Sequence, residues 1–368
     1  MSPKAILTKR RDKVLLNGES ALSTGSTLLN LACTGHPDLG FLKGGYYYLV
    51  GDSTSGKTWL SLTCFAEACC NKAFRNYRLI FDDVENGALM DIEHYFGKAV
   101  AQRMEPPATK KGLPAYSDTV ESFYYNITDR LKEGEPLIYV LDSQDALTST
   151  AATKKFQQQK KASEESEDSK GSYGDGKAKY HSENLRVVLA GLRKTRSILI
   201  IIGQTRDNLG FGFDPKTRSG GRALRFYANL EIWTSVKEKI RKLVRGRERT
   251  IGVRCLAQIR KNRVTGKIGK DRMVELPIYY DLGIDDLGSC VDFLIAEKHW
   301  PKVKQEGEEA KSKKKIYDAT DLMFTGTREK IVRYTEVEDL EPKVREITTQ
   351  VWKGIEDECR PNRKRRYV

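Results

Sequence analysis

No apolar run in this sequence of 368 residues is long enough to cross a bilayer. The longest aliphatic stretch, ILIII at 198–202, falls far short of the roughly 20 residues a membrane helix needs. The opening MSPKAILTKRRDKVLLNG holds no apolar segment of signal-peptide length, so secretion and membrane insertion are not expected. Cysteine shows no pairing pattern. The seven residues, Cys33, Cys64, Cys69, Cys70, Cys255, Cys290 and Cys359, include no C-x-x-C pair and have no histidine nearby at zinc-ligand spacing. A disulfide scaffold and a structural zinc site are set aside, and reduced, mostly buried thiols in the cytoplasm or nucleoid are expected. There is no internal repeat. Apolar residues almost vanish at 153–179, TKKFQQQKKASEESEDSKGSYGDGKAK. Such a stretch cannot bury enough surface to offset its ordering entropy, and a mobile loop between two core elements is expected there.

What is present is a globular composition, 39% hydrophobic and 31% charged, with 64 Lys plus Arg against 50 Asp plus Glu and a net charge of +14. That excess favours polyanionic partners, although charge alone leaves open a merely solubilising surface. The length predicts one core with a smaller appended lobe. A short basic arm is expected at 1–22. Apolar runs at 46–50, 78–81, 137–141 and 197–202 alternate with helical patterns, the signature of a mainly parallel sheet buried on both faces. Segments 230–236, 250–259 and 273–279, broken by the Arg245-Gly246-Arg247 turn and by Thr265-Gly266, read as antiparallel strands added to that sheet. Helical patterns return at 291–297 and 342–355 around a Lys-rich segment, 311–315, and the chain ends in the basic RPNRKRRYV, expected to be unstructured.

The strongest motif is Gly51-Asp52-Ser53-Thr54-Ser55-Gly56-Lys57-Thr58, a G-x-x-x-x-G-K-T directly after an apolar strand and before a helical run at 59–70. The glycines let backbone N–H groups turn around phosphates, and the helix N-terminus adds its dipole. Lys57 reaches the outer phosphates, and the Thr58 hydroxyl serves Mg²⁺. Asp142, ending the strand at 137–141, is placed to hold the metal; the alternative is a turn residue. Asp82, Asp83 and Glu85 end another strand at the same expected edge, where α/β sheets bind ligands. Glu85 suits a general base, and the competing reading has these acids cap a helix beginning near Ala88.

These motifs, in this order, resemble the RecA recombinase family over most of the chain. Leu22-Ser-Thr-Gly-Ser26 looks like its I-S-T-G-S, Asp83-x-Glu85 like its D-A-E, and Leu141-Asp-Ser-x-x-Ala-Leu147 like its I-D-S-x-x-A-L. The most specific match is Ile202-Gly-Gln204-Thr-Arg206 followed by Gly220-Gly221-Arg222-Ala-Leu-Arg-Phe226-Tyr-Ala228, similar to N-Q-I-R and G-G-x-A-L-K-F-Y-A. The resemblance implies an α/β core of the RecA P-loop ATPase type over 23–283, a small C-terminal α+β lobe at 284–358 and a basic tail at 359–368. It also implies ATP and Mg²⁺ as cofactors. Glu85 becomes the catalytic base, and Gln204 the residue that couples nucleotide to DNA grip.

The segment near 205–222 reads physically as a single-strand binder as well. Arg206, Arg218 and Arg222 supply guanidinium groups, Phe211 and Phe213 aromatic faces, and Gly220 and Gly221 close backbone approach. The stretch near 150–180 occupies the place of the family's other DNA loop. Its Lys154, Lys155, Lys160 and Lys161 suit a phosphate backbone, whereas the acidic 164–168 leaves a solvated insertion equally open. Lys261-Asn262-Arg263 resembles the family's K-N-K, whose cations reach the neighbouring subunit's γ-phosphate, and Phe226 falls on a subunit-contact position. Tyr95 and Asp91 are candidates for adenine contact, at a spacing that departs from the family. The long N-terminal helix of bacterial members is short or absent, and the tail is basic where theirs is acidic, a divergence that would suit a phage-encoded member.

The expected partners are single-stranded DNA, a homologous duplex and further copies of the chain in a filament that carries out strand exchange in recombination and repair. Two alternatives stand beside this. One is another RecA-fold motor, such as a ring helicase or a KaiC-like ATPase; the other is a nucleotide-gated DNA-binding scaffold without turnover.

Overall fold

The computed structural model describes residues 19–164, 177–207, 216–218, 221–303, 315–364 and 366. Strand β1 (Ala21–Leu22) pairs antiparallel with β2 (Phe41–Leu42), so the end of the expected arm is packed and Leu22 is buried. The main strands in chain order are β3 (Tyr46–Gly51), β4 (Arg78–Asp83) and β5 (Met104–Glu105). A small hairpin, β6 (Ala108–Lys110) and β7 (Leu113–Ala115), precedes β8 (Leu137–Asp142), β9 (Ile198–Asp207) and β10 (Lys216–Arg218). Then come β11 (Leu230–Val244), β12 (Arg247–Asn262), β13 (Met273–Tyr279) and β14 (Gly283–Ile284).

These build one sheet in the order β14-β13-β12-β11-β3-β9-β8-β4-β5, with β10 returning along β9. From β11 to β5 every neighbour is parallel; β12, β13 and β14 are antiparallel additions. The fold is α/β, as expected. Residues of β3 alternate between two cores. Tyr47 and Leu49 pack with the helices Thr27–Thr34 and Lys57–Cys70, while Tyr46, Tyr48 and Val50 pack with Val120–Lys132 and Lys177–Thr195. Burial on both faces explains why the run is apolar without a polar alternation.

A third cluster, including Leu287, Val291, Leu294, Trp300, Ile331 and Val344, is built by the helices Asp286–Ala296, Arg328–Val337 and Glu341–Glu358. The short hairpin β15 (Tyr317–Ala319) and β16 (Phe324–Gly326) packs there too. We propose the boundary near residue 284 on the strength of this separate cluster.

Three expectations change. The loop expected at 153–179 is largely helical: Thr150–Glu164 and the start of Lys177–Thr195 cover it, apart from 165–176, which lie outside the described residues. Its Ala, Lys, Gln and Glu residues are strong helix formers that need no burial, so the shortage of apolar residues excluded a packed core without excluding a local helix. Ser149 Oγ accepts from the Ala152 amide at 3.1 Å and starts the first helix. The helix expected near Ala88 begins instead at Ile92, capped by Asp91, whose Oδ1 accepts from the His94 amide at 3.0 Å. The acid that holds the turn before it is Asp83, accepting from Gly87 N at 2.9 Å and Ala88 N at 3.1 Å. Finally, β11 and β12 run well past the expected 230–236 and 250–259, each several residues beyond the edge of its neighbours.

Candidate functional site

Parallel register brings the chemistry to one sheet edge. Gly51 ends β3 opposite Gln204 of β9, and Asp83 of β4 lies opposite Asp142 of β8, so four strands bring these residues to a common carboxyl edge. The Gly51–Thr58 loop sits there. Gly56 has φ +82 at the start of the helix, and a Cβ on it would meet Ile278 Cδ1 at 2.5 Å. On Gly51 a Cβ would lie 2.2 Å from Thr234 Oγ1. Both positions therefore demand glycine. Ser55 Oγ pins the loop to Thr234 Oγ1 at 2.7 Å and donates to Asp52 O at 2.7 Å. Ser53 and Thr54 are exposed at its crest.

No side chain caps the first turn of the Lys57–Cys70 helix, which leaves its leading amides to the loop's concavity. Lys57, only 8% exposed, donates Nζ to Gly51 O at 3.0 Å and Asp52 O at 2.6 Å. Burial lowers its pKa, and the carboxylates of Asp142, Glu85, Asp52 and Asp145 partly offset that. Uncapped amides beside a buried ammonium fit a polyphosphate. Thr58 Oγ1 donates to Asp142 Oδ2 at 2.6 Å. Burial pushes the Asp142 carboxyl up to about 6; the Thr58 bond opposes the rise, and nearby Glu85 and Asp83 add to it. This hydroxyl and carboxylate are hard oxygen donors of the kind Mg²⁺ takes alongside phosphate oxygens and water.

Glu85 stands at the same edge. Its Oε1 accepts from Gln204 Nε2 at 2.9 Å and from Ser143 Oγ in a short contact, and its backbone N donates to Asp142 O at 3.3 Å. Asp82 belongs to neither expected role. It is buried, accepting from Ser117 N and Oγ and from Tyr139 OH, and burial raises its pKa despite those bonds. Tyr95 lies edge-on to Trp59, the residue after Thr58, with ring centroids 5.0 Å apart.

Four further residues at this edge, Ser143, Asp145, Thr205 and Lys216, are given no role from the sequence. Asp145 Oδ2 accepts from the Gln204 amide at 2.6 Å, and its Oδ1 lies 3.9 Å from Arg206. Asp52 is bound by Thr205 Oγ1 and by Lys216 Nζ in short contacts, which ties the phosphate loop to the base of the β9–β10 hairpin. Partial burial works against ionisation of Asp52, but Lys216 and Thr205 outweigh it and hold the carboxyl below its usual range. Ser143 completes the set. Only the pairing register, which a single sequence does not print, puts these groups within reach of one another.

Of the expected DNA contacts, Arg206 and Arg222 are exposed, and Gly221 opens the helix Gly221–Tyr227 with φ +78. Phe211, Phe213 and Gly220 lie outside the described residues, as does the Arg218 side chain. Lys154, Lys155 and Lys160 stand on the Thr150–Glu164 helix.

Lys261 and Arg263 are far from the phosphate loop of their own chain. Lys261 pairs with Glu231, which pairs with Tyr48, and the Arg263 amide bonds Asn229 O beside Tyr46, at the amino edge of β3. Along β3, Gly51 lies three residue steps, about 10 Å, past the level of Lys261 and five steps, about 16 Å, past the level of Arg263. Lys261 Nζ donates to Arg225 O at 2.6 Å and Phe226 O at 2.7 Å, and Arg263 Nη2 donates to Phe226 O at 2.7 Å. The Phe226 ring, 62% exposed, has both cations within 6.0 Å of its centroid. Arg222, Arg225, Phe226, Lys261 and Arg263 line a groove of about 610 Å³ there.

Among the described residues no helix is long and apolar enough to cross a membrane. A family model described as the RecA N-terminal domain matches residues 7–285. A protein named RecA from Cytophaga hutchinsonii is 28% identical over 295 residues, covering 78% of this chain and 72% of its own. The protein of that name from Chlorobaculum parvum is 28% identical over 284 residues, 75% of this chain and 70% of its own. One from Legionella pneumophila is 28% identical over 318 residues, 82% of this chain and 79% of its own.

Proposed function

The chain belongs to the RecA family, and from that premise we propose that it is an ATP-dependent recombinase that assembles on single-stranded DNA and pairs it with a homologous duplex. The observation that carries the reading is the hydrogen bond from Gln204 Nε2 to Glu85 Oε1. It joins the residue best placed to act as base to the strand that leads directly into the arginine-bearing 205–222 segment. Asp52, held by Thr205 and Lys216, makes a second tie between the same two regions.

When bound, ATP with Mg²⁺ would supply the phosphoanhydride that the assembled site cleaves, its binding favouring assembly and its cleavage release. Lys57 and the leading amides of its helix bind the phosphates, Thr58 and Asp142 hold the metal, and Glu85 takes the proton from the attacking water. Gln204 shares the Glu85 carboxylate, so any shift of β9 as Arg206 and Arg222 engage DNA changes how that carboxylate is held. Lys261 and Arg263, bonded to the Arg225 and Phe226 carbonyls rather than to their own phosphate loop, serve the loop of an adjacent copy, and Phe226 between them belongs to the same contact. Catalysis then requires assembly.

The test is ATP hydrolysis by the full chain without DNA, with single strands and with duplex, followed by electron microscopy of the same samples. Single-strand stimulation with helical filaments is the expected result. DNA-independent turnover with closed rings would replace this reading by that of a ring-shaped motor, and DNA binding without turnover by that of a gated scaffold.

A further inference from the structure

The β11–β12 hairpin outruns the sheet it belongs to. On one side β11 leaves β3 at Thr234, beside Gly51; on the other β12 leaves β13 at Gly252, opposite Tyr279. Beyond these points the two strands pair only with each other, from Arg241↔Thr250 to Val244↔Arg247, and close through Arg245-Gly246, both at positive φ (50° and 74°). This free ribbon, turn included, is about 17 Å long at 3.4 Å per residue. A register shift between Ile240 and Arg241 marks its root, where a bulge sharpens the twist and sets the ribbon off from the sheet.

The two faces of the ribbon differ in charge. On one face Arg241 bonds Glu248 at 3.0 Å and is neutralised. The other face sets Lys242 directly opposite Arg249 and Val244 opposite Arg247, with Arg245 in the turn. That face carries three cations and no carboxylate, Arg245 adds a fourth at the turn, and among the described residues none of the four has an ion-pair partner. Like charges directly opposite one another destabilise a two-stranded ribbon. A repulsion of this kind, at the end of an arm with no core to bury, is relieved when a polyanion lies across it. A two-stranded ribbon also fits the major groove of B-form DNA, where phosphates flank it on both sides.

We propose that the outer part of this hairpin is a duplex-DNA contact, in which Lys242, Arg245, Arg247 and Arg249 engage the phosphodiester backbone separately from the single-strand segment at 205–222. The choice of partner rests on the recombinase reading; the charge asymmetry of the ribbon does not. The variant Lys242→Thr/Arg247→Thr/Arg249→Thr, made in the full chain, tests it, threonine being favourable in strands. A labelled duplex is titrated by fluorescence anisotropy across a range of salt, and single-strand-stimulated ATP hydrolysis is measured alongside. Loss of three phosphate contacts should make the log-log salt slope for duplex shallower by about 2.7. Hydrolysis on single strands should be unchanged, and Lys242→Arg/Arg247→Lys/Arg249→Lys should keep the parental slope.

An unchanged duplex slope overturns the proposal, and so does an equal loss on single strands and duplex. Displacement by polyglutamate at the same charge concentration as by duplex overturns it in favour of an acidic protein partner. If the parent shows no DNA-stimulated hydrolysis, the recombinase reading fails, and the duplex titration alone then decides for or against the arm.

Discussion

Asp286 offers a measurement that separates burial from hydrogen bonding at the junction of core and lobe. Its Oδ1 accepts from Thr27 N at 2.6 Å and its Oδ2 from Thr27 Oγ1 at 2.7 Å. Arg345 of the last helix donates Nε to Thr27 Oγ1 at 2.8 Å and Nη2 to Asp38 at 2.7 Å. Despite these partners, burial pushes the Asp286 carboxyl from its usual 3.8 up to about 6. The folded state therefore prefers the neutral acid. Its contribution to stability is complete below pH 3.8 and is lost as pH rises through about 6. Two pH units correspond to about 3 kcal/mol, and since the side chain is 18% exposed, solvent screening trims this to roughly 2 kcal/mol. Asp286→Asn stays neutral at every pH. Urea unfolding of parent and variant at pH 4.5 and pH 7.5 should show the variant gaining on the parent by about 1 kcal/mol between the two, the rest of the contribution being lost already between pH 3.8 and 4.5. Asp142 titrates in the same window but is common to both proteins and cancels. A variant equally destabilised at both pH values would show that the Thr27 bonds outweigh burial, and the reasoning would be wrong.

Gln204→Ala should bind ATP as the parent does yet lose most of the DNA stimulation of hydrolysis, since one hydrogen bond to a charged group is worth about 1.5–3 kcal/mol; undiminished stimulation would remove Gln204 from the coupling. Arg206→Ala/Arg222→Ala should make the single-strand salt slope shallower by about 1.4, from two phosphates at roughly 0.7 each, and an unaltered slope would place single strands elsewhere. Lys57→Ala and Lys261→Ala should each be inactive alone but recover hydrolysis when mixed, because one supplies the intact phosphate loop and the other the intact cation. Failure of the mixture would refute action across subunits.

Much of the site was legible because its chemistry is written locally. Gly51 to Thr58 follows an apolar strand, Asp142 ends another, and each needs only its own neighbours to be read. The helix at Thr150–Glu164 was hidden for the opposite reason. Its residues favour helix without burial, and a reading based on apolar content finds only the absence of a core. Asp52, Asp145, Ser143, Thr205 and Lys216 become a network only through the pairing of β3 with β9 and β9 with β10. The overhang of β11 and β12 depends likewise on where β3 and β13 stop, a property of the neighbours rather than of the hairpin's own residues.

On the proposed function, that register would let one edge sense two ligands. β9 carries Gln204 at the level of Gly51, and the next residue, Thr205, reaches back to Asp52 of the loop. Arg206 then turns outward with Asp145 behind it, and Asp145 also holds the Gln204 amide. Three consecutive residues thus contact Glu85, the phosphate loop and Asp145 in turn. A strand buried between β3 and β8 cannot slide by one residue without reversing every side chain from one core to the other. The remaining freedom is a small tilt or a rotamer change at its end. A coupling built on such a strand would transmit small displacements over a few ångströms, and on the proposed action across subunits it would require Lys261 and Arg263 of a neighbouring copy to be placed with similar precision.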